Sequence, residues 1–220
     1  MFSSSEALKE LAFEQYIDGL AQAIGEQIDT ELQTMAERLP SAKKRGSVAT
    51  YSLTTLFLAD SFYRKTGVGK FSGRLVVIWN GMDSFVFSPD PSQPFNYTTS
   101  EGRIIEPKLM HTDGGSVPRI LRGLKKFSSW GYAPAFIVHD WLFTAKKCQY
   151  GPDRDFTFLE SAQIMAEAIK TLMEVGFTDF NGNNIKLEKA EDTMYLMYLA
   201  ISSFIAEDVW EDESTVICMR

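Results

Sequence analysis

The dipeptide Asn80-Gly81 lies between two short runs rich in β-formers, Leu75-Val76-Val77-Ile78-Trp79 and Ser84-Phe85-Val86-Phe87. Asn-Gly between such runs is a strong hairpin signal, because both residues tolerate the left-handed backbone that a tight turn needs. A chain with a hairpin here is not all-helical, so a small antiparallel sheet must be fitted among its other elements. Arg103 to Met110 can add a third strand, although Pro107 places it at an edge or a bulge. The stretch 88–100, rich in proline and serine, reads as a loop. No internal repeat is visible.

Helical spacing dominates elsewhere. Leu8, Leu11, Ile17, Leu20, Ile24, Ile28, Leu32 and Met35 recur at three- and four-residue steps, and Pro40 ends the pattern. A second helix is expected over Val48 to Arg64, closed by Gly67 and Gly69. Further helices are expected from Pro134 onward, from about Arg154 to Glu174 with Gly176 closing it, and from about Leu187 to Ala206. The expected fold is α+β and mainly helical. It has a small antiparallel β-sheet, a hairpin plus one strand, and a helical N-terminal extension over residues 1–69 that serves docking or oligomerisation. Residues 70–206 form the main domain, and 207–220 an acidic, solvated tail.

Apolar residues make up 45% and charged residues 23%, which is the balance of a folded protein and excludes disorder or a low-complexity chain. With 22 basic and 29 acidic residues the net charge is −7, so nucleic acid is not the expected partner. The spacing of Cys148 and Cys218 does not decide whether they pair, and the simpler expectation is two free thiols in a reducing compartment. The first residues lack a basic, then apolar, leader pattern. Met194 to Ala206 falls short of the roughly 20 apolar residues of a spanning helix. A soluble protein without signal peptide or transmembrane helix is expected.

Only two histidines, His111 and His139, offer a side chain that titrates near neutrality unaided. His139 lies in an otherwise apolar helical run beside Asp140. Adjacent residues on a helix point about 100° apart, so this pair can aim an imidazole at one partner and a carboxylate at another. Asp155 is a candidate to orient the imidazole from the next helix. The loop Thr112–Ser116 offers Asp113, two hydroxyls, and the carbonyls of Gly114 and Gly115, which suit a hard cation such as Ca²⁺. The same loop can equally be a tight turn with an Asx-type bond. Arg119 can hold a phosphate or carboxylate, or pair with Asp113.

The motifs His111-Thr112-Asp113-Gly114-Gly115-Ser116-Val117-Pro118-Arg119, His139-Asp140-Trp141-Leu142-Phe143, Asp155-Phe156-Thr157-Phe158-Leu159-Glu160-Ser161 and Met194-Tyr195 together resemble the family called domain of unknown function 1353. The resemblance covers about residues 70–205, and it implies a bacteriophage or prophage protein. The His-Asp helix followed by a later Asp is also similar to the core of calcium-dependent secreted phospholipases of the A-two type. That similarity implies His139 as general base, Asp140 as metal carboxylate, Asp155 as orienting carboxylate, and Asp113, Gly114 and Gly115 at the calcium loop. Arg119, Ser116 and His111 are then candidate binding residues.

Two functions are expected to compete. One is a phage accessory or virion-associated protein that contacts a phage or host protein, or a second copy of itself through the N-terminal helix. Its His-Asp site is then vestigial or active. The other is a metal-assisted hydrolase of an envelope ester or amide, phospholipase-like, in which His139 deprotonates a water. The expected location is the host bacterial cytoplasm or the virion.

Overall fold

The computed structural model describes residues 58–81, 84–112, 129–202, 204–212 and 218–219. The chain divides into two compact units, Met1–Ser61 and Phe62–Arg220. The expected helix over residues 1–40, and residues 48–57 of that over Val48–Arg64, lie outside the described residues; residues 58–65 are helical, as expected for the end of the second helix.

The second unit mixes helices with three small antiparallel sheets. Strands β1 (Lys70–Ser72), β4 (Asn96–Thr98) and β5 (Ile104–Ile105) form one sheet in the order β1-β4-β5. Strands β2 (Val77–Trp79), β3 (Phe85–Phe87) and β6 (Met110–Thr112) form another in the order β2-β3-β6. Strands β7 (Phe177–Thr178) and β8 (Asn184–Ile185) make a third, two-stranded sheet. Four helices follow one another in the C-terminal half: α1 (Ala133–Cys148), α2 (Phe158–Glu174), α3 (Glu191–Ile201) and α4 (Phe204–Glu211). The architecture is therefore mixed α+β, and the description "mainly helical" with a single small sheet is corrected.

The hairpin forms where the Asn-Gly signal placed it. Val77 pairs with Phe87 and Trp79 with Phe85, and Gly81 takes a φ of +99°, in the left-handed region that favours glycine. The segment 103–110 does not make one strand. Pro107, which has no N–H to donate, separates β5 from β6, and the two join different sheets. β4 was expected to be loop, because prolines and serines flank it. Burial of Phe95 and Tyr97, both 0% exposed, outweighs that local composition.

An aromatic cluster joins the first and third sheets. Phe71, Phe95, Tyr97 and Phe177 stack with ring centroids 4.7–5.9 Å apart. Helix α2 packs against α1, α3 and β1. It starts at Phe158 rather than at Arg154. Thr157 caps it by accepting from the Glu160 N–H, while Glu160 Oε2 accepts from the Thr157 N–H at 2.7 Å. Residues Pro152–Asp155 instead form one 3-10 turn.

The long last helix is broken at Ser202 into α3 and α4. Helix α4 runs through Glu211 and buries Trp210 to 3% exposure, so residues 207–211 are not a solvated tail. Cys148 and Cys218 are joined in a disulfide, with Cα atoms 5.6 Å apart, which corrects the expectation of two free thiols. No described helix is long and apolar enough to cross a membrane.

Candidate functional site

Helix α1 begins with Pro134 in its first turn, where a missing N–H costs nothing. Phe136, Ile137, Val138, Trp141 and Leu142 are buried, which fixes the rotation of the helix. That rotation leaves His139 and Asp140 half-covered, with side chains 12% and 20% exposed.

β6 runs alongside α1. From it, Thr112 Oγ1 donates to Asp140 Oδ2 at 2.6 Å. The other carboxylate oxygen, Oδ1, stands 3.9 Å from His139 Nδ1, too far for a hydrogen bond. His139 Nε2 is buried and has no hydrogen-bond partner among the described residues. Its ring lies 4.8 Å from that of Phe143, one helical turn on. Phe143 in turn meets Trp210 of α4 edge to face at 4.7 Å.

The remaining expected site residues fall in different places. His111 is half-buried on β6, in register with Val86 of β3. Asp113, Gly114, Gly115, Ser116 and Arg119 lie outside the described residues. Asp155 ends the 3-10 turn with its side chain 72% exposed and pairs with Arg154 Nε at 3.5 Å. No hydrogen bond joins Asp155 to His139 among the described residues.

Asp153 is the acid that ties this turn to α1. Trp141 Nε1 donates to Asp153 Oδ2 at 2.7 Å. Burial pushes the Asp153 carboxyl above the usual carboxylate range, against the opposing effect of that bond. Sequence reasoning passed over Asp153, because the family motif draws attention to Asp155 two residues later. It also counted the Thr112 hydroxyl as a cation ligand, whereas the structure uses it as a donor to Asp140.

The arrangement has one chemical opening. An imidazole nitrogen with no partner can accept or donate one further bond, to a ligand or to a water. Of the oxygens expected to hold a cation, the described residues supply the Asp140 carboxylate and the Thr112 hydroxyl. No group of three or more His, Cys, Asp or Glu converges as a metal site among the described residues. A separate cleft of about 470 Å³ borders α2, lined by Lys65, Ser100, Arg103, Phe156 and Glu167 among others, and none of the expected site residues lines it.

Residues 92–175 match the model of a family described as "Protein of unknown function (DUF1353)". The matched segment runs from before β4 to the end of α2 and contains His111, His139, Asp140 and Asp155. It supports the resemblance drawn from the motifs, and its description carries no activity. No curated protein matches the chain, and no solved structure does.

Proposed function

We propose, taking residues 92–175 as a segment of that family of unknown function, that the chain is a bacteriophage-encoded accessory or virion-associated protein that acts through protein–protein contact. The phage part of this reading rests on the motif resemblance alone. The contact part rests on one observation, the exposed apolar side chains of β2 at the edge of the β2-β3-β6 sheet among the described residues. β2 is its edge strand, and there Ile78 is 54% and Trp79 is 68% exposed. Consecutive strand residues point to opposite faces, so both faces of the strand carry solvent-exposed apolar surface beside the turn. Edge strands of this kind template pairing with another chain. The Asp140–Thr112 bond serves in this reading to pin α1 to β6.

The test is light scattering of the full chain after size exclusion, together with co-purification from phage-infected cells. A stable oligomer or a reproducible partner is expected. Trp79→Ala, or removal of residues 1–40, should weaken it. A monomer with no partner in both assays would overturn the reading.

A second reading is favoured by His139 Nε2, buried and without a hydrogen-bond partner among the described residues. In a metal-assisted hydrolase this nitrogen would take the proton of an attacking water, and Asp140 would hold the cation, which would polarise the ester carbonyl. Exposed Asp155 does not fit the orienting role there, since an effective general base needs its other nitrogen held. Calcium-dependent hydrolysis of phospholipid vesicles, lost in His139→Ala, would favour this reading. Activity unchanged in that variant would remove it.

A further inference from the structure

Among the described residues, three of the contacts that fasten the C-terminal segment stand out. The first is the bond from Cys148, the last residue of α1, to Cys218. Next to it, Tyr150 Oη donates to the Met219 carbonyl at 2.6 Å, and the Tyr150 ring stacks on Trp141 with centroids 5.8 Å apart. The third is Trp210 of α4, buried against Phe143 at 4.7 Å and Phe158 at 6.1 Å. Phe143 is also the ring that covers His139. One of these fastenings is covalent and chemically reversible, and its Cys218 end is exposed.

We propose that the Cys148–Cys218 bridge is a redox latch, which sets how firmly α4 covers the Phe143 face of α1 beside His139. In the oxidised chain the bridge holds the segment after Trp210 at the end of α1, so a transient departure of the indole is followed by rapid return. The opening reagent is a dithiol. Its thiolate attacks Sγ of Cys218, the Cys148–Cys218 bond breaks, and the Cys148 thiolate leaves and takes a proton from water. The second thiol of the reagent then displaces Cys218, so the reagent becomes a disulfide and the protein gains two thiols. With the bond gone, only non-covalent contacts hold the segment, among them the Tyr150–Met219 hydrogen bond, the buried indole of Trp210 and the attraction between Asp212 and Lys147 of α1, and α4 leaves Phe143 more often. The latch acts on the α1 face whatever that face binds, so it does not rest on the contact proposed for β2.

The test uses the full chain, first treated with oxidised glutathione and then with dithiothreitol. The oxidised form should show no titratable thiol and the reduced form two, from Cys148 and Cys218. On reduction, amide hydrogen exchange over residues 204–212 should quicken by about tenfold or more, while α2 changes little. The variant carrying Cys148→Ser and Cys218→Ser should exchange quickly at 204–212 with or without dithiothreitol. Two free thiols after oxidation would overturn the proposal, as would unchanged exchange after full reduction. Equal quickening throughout α2 would also overturn it, because the bridge would then support the whole fold. The light-scattering result for Trp79→Ala is independent of all these outcomes.

Discussion

Glu167 on α2 accepts hydrogen bonds from Tyr97 Oη, the Ser100 N–H and Ser100 Oγ, whereas Asp140 on α1 accepts only from Thr112 among the described residues. The contrast extends to their neighbours. Lys170, 7% exposed, donates to the carbonyls of Tyr63 and Thr66 at 2.8 and 2.7 Å, and its ammonium lies 4.7 Å from the Tyr63 ring centroid. His139 Nε2 donates to nothing and accepts from nothing there. Both regions put polar groups under cover. In the α2 region most of the groups satisfy one another, although the buried Tyr63 Oη, like His139 Nε2, has no hydrogen-bond partner among the described residues. In the α1 region some capacity is left over. The more fully saturated network reads as architecture, and the less saturated one as a place where something else can bind.

The largest expected effect falls on the saturated side. Lys170→Met keeps the bulk but leaves two carbonyls without their donor, and should lower unfolding stability by about 2–4 kcal/mol in urea titration. A loss below about 1 kcal/mol would erase the contrast. Thr112→Val should lose about 1–2 kcal/mol by the same measurement, because a half-buried carboxylate loses its one donor. His139→Leu tests the leftover capacity itself. Replacing a ring whose Nε2 has no hydrogen-bond partner among the described residues should leave stability unchanged or raise it by up to about 1 kcal/mol. A loss above about 2 kcal/mol would show that His139 is bonded after all.

The smallest effect concerns pH. Burial raises the Asp153 pKa above its unfolded value, so between those two values the folded state binds more protons than the unfolded one. Stability then falls as pH rises through that window, and the penalty persists above it. Asp153→Asn keeps an acceptor for Trp141 Nε1 and removes the titration. It should be more stable than the parent at neutral pH and lose that advantage below the ordinary aspartate range. Thermal midpoints recorded across acid to neutral pH would reveal a flat difference if the burial argument is wrong.

Legibility in the sequence followed the range of the interaction. The hairpin at Asn80-Gly81, the start of α1 at Pro134 and the end of α2 at Gly176 are local signals, and all three hold. The capping box Thr157-x-x-Glu160 was local as well, but the run of residues from Arg154 obscured it. Long-range partners were not legible. Nothing in the spacing of Cys148 and Cys218, 70 residues apart, announces a bond. Lys170 sits inside an apolar stripe, and its partners lie more than 100 residues earlier. The site was legible as residue types only. His139 and Asp140 do share a partly covered face of α1, yet the acid that fastens the following turn is Asp153, since the bulky Trp141 presents its N–H there.

The ammonium of Lys170 grips the chain just where Phe62 to Thr66 enters the second unit. Tension applied through the preceding residues would therefore meet the helices first, at Phe62 against Tyr195 and Tyr198 of α3 and then at a charged clasp on α2. The three sheets would feel such a pull only after that clasp had let go.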